Sequence, residues 1–404
     1  MSCNQLSTGS VSAILLIIAL FIMGCDKADN DSLPPHVRSL EPLVIPDPSN
    51  PVFQFVFERQ MLYSDSLLLD EITALATDAA GNLYAAGSSW KRNEVHVFSA
   101  DGVHQNTIGG YGSDDGSFLD ISALVTKNTM LHVFDRELGR RTSFSIADGE
   151  LLGVSEHLPD LPAEVSEDDD FDLAAPVRIT NSSGQITEYR QDLNPAYYPE
   201  RKVIYLKGDK NGGRAFPIAE LRDTLFLVGD YAGRPAPFTL RYPSHSLIAF
   251  LDDGHFYTAW SDELLIRKFD PAGNFLKAYY YPYERAGLNR DLVIHPAYSH
   301  NDQLLRIRES AEYPEFWPAI ASMLADDEGR IWVALIHEDK SRLEWWILQD
   351  GITGRFSWPS DSQIKHISGG HIYAVENDDT GFRDVVRYGY RLEPADSTFR
   401  QSSP

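Results

Sequence analysis

Short strand-like runs, each of about five residues and bounded by Asp, Asn or Gly, recur along most of the chain. The first clear unit reads Ile72-Thr73-Ala74-Leu75-Ala76-Thr77, the turn Asp78-Ala79-Ala80-Gly81-Asn82, then Leu83-Tyr84-Ala85-Ala86. The same order returns as Ile320-Ala321-Ser322-Met323-Leu324-Ala325, Asp326-Asp327-Glu328-Gly329-Arg330, Ile331-Trp332-Val333-Ala334. Fainter copies centre on Leu131-His132-Val133-Phe134, Phe256-Tyr257-Thr258-Ala259 and Ile372-Tyr373-Ala374-Val375. A second run follows most copies and ends in a turn: Val95-His96-Val97-Phe98 into Asp101-Gly102, Ser143-Phe144-Ser145-Ile146 into Asp148-Gly149. Ile266-Arg267-Lys268-Phe269 before Asp270 to Gly273, and Trp345-Trp346-Ile347-Leu348 before Asp350-Gly351, are its later counterparts. Glycine and asparagine at such corners adopt positive φ cheaply, so each unit reads as antiparallel hairpins with room for four strands.

The units repeat at roughly 40–50 residues, the period of a propeller blade rather than of a single sandwich. Five units are readable, and the long interval between Leu131 and Phe256 holds a degenerate sixth, expected from Val177 to Asp230. Val203-Ile204-Tyr205-Leu206 and Thr224-Leu225-Phe226-Leu227-Val228 are expected to be two of its strands. The fold class is therefore all-β: a six-bladed β-propeller of four-stranded antiparallel blades over residues 50–393, with seven blades as the alternative. Phe53-Gln54-Phe55-Val56-Phe57 alternates like a strand, and a strand there would complete the last blade, which ends near Leu392, and close the ring. Tyr281 to Pro314 interrupts the repeat. Leu304, Leu305 and Ile307 offer a short helical apolar face leading to Ala311, so a helical or loop insertion over one mouth is expected at 281–316. Residues 394–404 read as a loose tail.

Composition agrees with a large β protein. In 404 residues there are 20 Phe, 19 Tyr and 7 Trp, residues that favour strands, with 28 Gly and 23 Pro for turns. Fifty-nine acids against 35 bases leave a net charge of −24, which argues against a nucleic-acid partner.

The first residues point to an address. Val11 to Gly24 is almost wholly apolar, too short to span a bilayer and of the length of a signal-peptide core. It ends Ile22-Met23-Gly24-Cys25, which resembles the lipobox of bacterial lipoproteins, although no Lys or Arg precedes the run. The resemblance implies that residues 1–24 are removed and that Cys25 becomes a lipidated N-terminus. Several acyl chains would hold it to a membrane, which a single chain does only marginally. The only other cysteine is Cys3, so the mature chain would have no thiol left for a disulfide or a nucleophile. Residues 25–49, with five prolines after Cys25, read as an extended tether. The expected location is the bacterial cell envelope, at the outer or inner membrane, on its periplasmic or surface face.

Candidate chemistry is sparse. The chain has no His-Glu-x-x-His, Walker, Gly-x-Ser-x-Gly or Rossmann glycine motif. His96 and His132 stand in similar Val-His-Val-Phe and Leu-His-Val-Phe runs but align to different strands; they read as strand-surface residues, as do His366 and His371. Asp78, Asp101, Asp252, Asp326 and Asp350 read as turn formers. The acidic run Glu167-Asp168-Asp169-Asp170-Phe171-Asp172 lacks the spacing of a calcium loop and reads as a solvated loop. Trp260, Trp332, Trp345, Trp346 and Trp358 could stack on sugars, with Trp332 better placed in blade core. No catalytic residue, metal ligand or cofactor is assigned.

The pattern Ile-x-x-Leu-x-x-Asp-x-x-Gly-Asn-Leu-Tyr from Ile72, followed by Val97-Phe98 and Asp101-Gly102, resembles NHL-repeat propellers. With Pro318-Ala319-Ile320 leading into Asp326 to Val333, it resembles the six-bladed propeller lipoproteins of Bacteroidetes-type bacteria. That resemblance specifies blades and hardly any activity. The expectation is a membrane-anchored binding module for an unknown protein, peptide or glycan, rather than an enzyme. The alternative is a calcium- or zinc-dependent hydrolase or lyase, which would need Asp, Glu, Asn or His side chains converging at a channel mouth.

Overall fold

A computed structural model of the protein describes residues 33–46, 53–62, 71–89, 92–155, 171–179, 184–208, 215–289, 302–338, 340–349, 352–377 and 383–394. Residues 1–24, expected to be a signal peptide, Cys25, the acidic residues 167–170, Asp350 and the tail beyond 394 lie outside them. Residues up to Glu41 form one unit and those from Pro42 another. In the first, the short helix Pro35–Arg38 starts with proline at its first position, where no N–H is needed, and Arg38 Nε donates to the Leu33 carbonyl at 2.9 Å.

The second unit is a six-bladed β-propeller, and its strands follow one another in space in nearly the order they have in sequence. Blade 1 is Glu71–Thr77, Leu83–Ser89, Arg92–Phe98 and His104–Gly109; blade 2 is Ile121–Lys127, Met130–Asp135, Arg140–Ser145 and Leu151–Ser155. Blade 3 is Phe171–Ile179, Gln185–Gln191, Lys202–Gly208 and Ala215–Arg222; blade 4 is Ser246–Phe250, Phe256–Trp260, Leu265–Phe269 and Phe275–Tyr280. Blade 5 is Ile320–Ala325, Ile331–Ile336, Arg342–Leu348 and Ile352–Pro359. Blade 6 takes Gln363–Ser368, His371–Asn377 and Arg383–Pro394 from the C-terminus and its outermost strand, Phe53–Leu62, from the N-terminus.

Each blade stands between two others, which favours a second strand apolar on both faces; blades 1 and 5 show it most fully. Ile331–Ile336 is buried at every position: Ile331, Val333 and Leu335 pack with blade 4, Trp332 and Ala334 with blade 6. In blade 1, Leu83 and Ala85 join Tyr373 and Val375 of blade 6, while Tyr84 and Ala86 join Leu131 and Val133 of blade 2. The aliphatic-aromatic start of the repeat is thus two side chains facing opposite neighbours. The aromatic member has a second task. Asp326 accepts from the Glu328 and Arg330 N–H groups through Oδ1, and from Arg330 Nε (2.6 Å) and Trp332 Nε1 (2.7 Å) through Oδ2. Asp78 repeats this with the Ala80 and Asn82 N–H groups, the Asn82 amide (2.8 Å) and the Tyr84 hydroxyl (3.1 Å). The spacing Asp, Asn or Arg at i+4, Tyr or Trp at i+6 is therefore one hydrogen-bonded turn. Two of the fainter copies replace it with tighter corners, at Asn128 (φ 55°) in blade 2 and Gly369-Gly370 in blade 6, while blade 4 keeps a five-residue turn at 251–255.

The degenerate unit differs from the sequence expectation. Blade 3 opens at Phe171, before Val177, and is complete at Arg222. Leu227–Tyr231 pairs only with Arg234–Phe238, as a separate two-stranded ribbon, so the Thr224 to Val228 run is not a blade strand. Asp223, buried directly after the fourth strand, is bound by Arg190 and Arg201 at the point where the chain leaves the sheet, and the ribbon packs instead with Trp317 and Ile336. Helix Asp302–Ser310 packs on this ribbon; Ile307 and Ala311 meet Phe238, Leu240 and Trp317 over the Ile336 end of blade 5.

Closure follows the expected route and reaches further. Leu43–Val44 runs parallel beside the outer strand of blade 4, Phe53 and Gln54 pair in parallel with Gly354 and Arg355 of blade 5, and Phe53–Leu62 then completes blade 6. Phe55 sits among Trp332, Phe356 and Tyr390, with ring centroids 5.4–5.7 Å apart. Gly354 is bare because a Cβ there would lie 2.2 Å from Phe55 Cε2. Phe55→Ala is expected to cost about 3–5 kcal/mol of stability and Gly354→Ala about 1–3 kcal/mol in urea titrations. The cost of Gly354→Ala should vanish in the Phe55→Ala background, and its persistence there would show that the two residues do not meet.

Candidate functional site

The two faces of the ring are unequal. Turns within blades, such as 78–82, 99–103, 251–255 and 326–330, are short and gather at one end. The connections between blades emerge at the other, and two of them, 223–245 and 281–319, carry the ribbon and the helix. Of the exposed aromatic rings among the described residues, Tyr111 before blade 2, Tyr197 and Tyr198 in the bend 192–201, Tyr231 on the ribbon and Phe316 before blade 5 lie on this interblade face, and Phe216 lies towards the other. Recognition residues concentrate on connections held by a rigid scaffold.

The innermost strands share a device near this face. Five of the six break register close to their start, at Ile72/Ala74, Ile121/Ala123, Phe171/Leu173, Ile320/Ser322 and Ile364/His366. Such bulges re-aim side chains at rims. Two bulge hydroxyls turn back to the neighbouring strand, Thr73 to the Ala86 carbonyl and Ser122 to that of Phe134. The blade 6 bulge carries Lys365, whose pKa is lowered by burial against the opposing pull of Glu71 on blade 1.

Blade 4 keeps an unbroken inner strand, and at its start the blade 3–4 boundary turns ionic. Ile186, Glu188 and Arg190 alternate on the face of blade 3 that meets blade 4, where Ile186 packs with Phe256. Two residues further on, Arg190 bridges Glu188 (2.5 Å) and Asp223 (2.5 Å), and Arg201 holds the second Asp223 oxygen at 3.0 Å. Burial opposes the Arg190 charge, but Glu188 and Asp223 outweigh it and its pKa is raised. Tyr205 donates to Glu188 Oε2 at 2.6 Å; burial and that carboxylate keep the phenol protonated. Next to them His245 Nδ1 lies 2.8 Å from the Pro243 carbonyl, to which it can only donate. Burial lowers the His245 pKa, so the ring is neutral near pH 7 and Nε2 is left as an acceptor. Asp262 accepts from Ser244 Oγ (2.6 Å) and Trp260 Nε1 (3.1 Å), with Arg285 at 3.9 Å and Arg222 stacked over the Trp260 ring. The result is a rim of paired charges, one neutral imidazole and one half-buried indole, suited to hydrogen bonding with a polar ligand.

The residues singled out from sequence fall elsewhere. His96 and His132 do lie on different strands, but both are buried rather than on a strand surface. Each turns to a hydroxyl across its own sheet, His132 Nδ1 to Ser143 Oγ at 2.9 Å and His96 Nδ1 to Thr107 Oγ1 at 3.3 Å. His366 Nε2 lies 2.9 Å from Thr77 Oγ1 of blade 1. His371, in the next strand of blade 6, is half-buried, with its pKa lowered by burial and by Arg387. Asp78 and Asp326 form turns as described, and Asp101 and Asp252 stand at turn corners. Trp332, Trp345, Trp346 and Trp358 are buried, which leaves Trp260 as the one of those five open to a ligand. Among the described residues no three His, Cys, Asp or Glu side chains come together to hold a metal ion. The ionic rim itself escapes the sequence reading because only part of it belongs to the degenerate unit and the rest, His245, Trp260 and Asp262, comes from blade 4. Its one trace in the sequence is a pair of opposite charges, Glu188 and Arg190, in a central strand.

No protein-family model matches the chain, and no curated protein matches its sequence. Its fold is similar to that of a DUF4221-family member from Bacteroides vulgatus, with TM-score 0.52 and 10% identity over 86% of this chain and all of the other. A Bacteroides fragilis protein described as exported aligns with TM-score 0.47 and 11% identity over 87% and 99% of the two chains. Streptogramin B lyase aligns with TM-score 0.41 and 10% identity over 84% and 98%. The likeness is one of fold, and it agrees with the resemblance to six-bladed propellers of Bacteroidetes-type bacteria read from the repeat.

Burial and the charges of Arg141 and Lys127 push the His132 pKa from 6.5 down to about 4. A histidine held neutral in the fold charges more readily when unfolded, so stability is full above pH 6.5 and is lost as pH falls towards 4. The loss reaches about 3 kcal/mol at most. Thermal melts of His132→Asn against the native chain across that window should show a flatter pH dependence in the variant. At the rim, Asp223→Ala strands the mostly buried Arg201 and is expected to cost about 3–5 kcal/mol in urea titration, where a loss under 1 kcal/mol would count against the network.

Proposed function

We propose that this protein is a lipid-anchored propeller of the bacterial cell envelope that binds a polar ligand on its interblade face. The observation that carries the reading is the asymmetry of the ring. One end has short, hydrogen-bonded turns, while the other has the long connections, the exposed tyrosines and the ionic rim between blades 3 and 4. A scaffold closed on itself and decorated at one end is suited to presenting a surface. The lipobox-like Ile22 to Cys25 and the proline-rich segment after it support anchoring at a distance from the membrane. No helix among the described residues is long and apolar enough to cross a membrane.

Two measurements test the two halves of the proposal. Cells expressing the full chain and fed an alkynyl fatty acid should label it, and Cys25→Ser should abolish both labelling and membrane partition. Undiminished labelling of the variant would refute the anchor. A photo-crosslinking residue at Tyr198 should capture cell-envelope material at least several-fold more than one at Val103 on the opposite end. Equal capture at both positions would refute the binding face.

A further inference from the structure

We propose that the groove between the ribbon tip and the last turn of helix Asp302–Ser310 is a carbohydrate-binding site. The inference deepens the reading of the interblade face as the binding face and rests on it. The groove is open to water, has a volume of about 430 Å³ and is lined by Asp230, Tyr231, Ala232, Arg306, Glu309 and Ser310. That volume falls in the range of small-ligand sites.

Its walls are fixed by the backbone. Gly229 lets the ribbon lie directly on the helix, since a Cβ there would fall 1.9 Å from the Ile307 carbonyl oxygen. The Asp230 N–H donates to Ser310 Oγ at 2.6 Å, and the Ser310 hydroxyl donates to the Ile307 carbonyl at 3.0 Å. The ribbon turns through Ala232 (φ 55°) and Gly233 (φ 77°), with Asp230 Oδ1 accepting the Gly233 N–H. Positive φ at both central residues is the hairpin turn that asparagine and glycine favour, and alanine there carries a strain of about 1–2 kcal/mol.

The polar side chains facing this space are not spent on one another. Arg306 and Glu309 stand three apart on the helix, a spacing at which opposite charges commonly pair, yet they make no ion pair among the described residues. The Tyr231 ring is 39% exposed beside them. A guanidinium that donates, carboxylates that accept and an aromatic plate match the vicinal hydroxyls and C–H face of a pyranose. A phosphate would meet the two carboxylates of Asp230 and Glu309. A free amino acid would depend on ion pairs that an open, water-exposed groove screens to little.

The test is an array of neutral and acidic oligosaccharides probed with the full chain in a detergent without a sugar headgroup, followed by calorimetric titration of the best glycan. Tyr231→Ala should weaken binding at least tenfold, and Arg306→Gln and Glu309→Gln should each weaken it several-fold. All three are surface changes and should melt with the native chain. An empty array, a glycan held equally by all variants, or saturable binding of free glycine in place of any sugar would overturn the proposal. An empty array with crosslinking still biased to Tyr198 would sink the carbohydrate assignment alone. Unbiased crosslinking would sink the binding face beneath it.

Discussion

Six sheets arranged around an axis leave no blade with a free face, and this constraint governs most of the chain. The second strand of a blade has neighbours on both sides, so it is apolar throughout where the packing is complete, as in Ile331–Ile336, and blade 3 departs from this with Glu188 and Arg190. The packing holds only if the ring is shut, and the shutting element is Phe53–Leu62, hydrogen-bonded to the C-terminal strand Arg383–Pro394. Phe55, Trp332, Phe356 and Tyr390 fill the seam where the two termini meet. Blades 5 and 6 merge there into one eight-stranded sheet. The densest aromatic packing thus lies where chain connectivity alone would not hold the ring.

With its apolar surface committed to blade contacts, the molecule has two ends on which to vary. At one, carboxylates such as Asp78 and Asp326 are saturated by the turns they shape. At the other, the connections are long and their polar groups only partly answered. The ionic rim is the rigid part of this end, since Arg190 and Arg201 lock Asp223 at the point where the chain leaves blade 3. The ribbon and helix are built beyond that point and pack over the Ile336 end of blade 5.

How legible this was depended on whether a residue served the repeat. The Asp, Gly and aromatic positions repeat most clearly where blades 1 and 5 share one turn, and the fainter copies keep the spacing of the repeat, so the blade number, the closing strand and the buried role of Trp332 could be read from it. The third blade could not be bounded, because its strands Gln185–Gln191 and Ala215–Arg222 use charged and proline-containing runs in place of the repeat's residues. His96 and His132 look like surface positions on an alternating strand, but a blade has two buried faces, so alternation there does not separate inside from outside. The rim unites residues from distant parts of the chain, Glu188, Asp223, His245 and Asp262, and no local spacing announces such a meeting.

The N-terminal segment ties together more than one sheet: Leu43–Val44 lies on blade 4, Phe53 and Gln54 touch blade 5, and the rest becomes blade 6. A tug on the chain before Pro42 therefore reaches the two-residue pairing at Leu43 and Val44 first. That contact is two residues long, against ten in the strand behind it that shuts the ring. Within the propeller, load entering along this segment meets the short grip on blade 4 before it meets the lock.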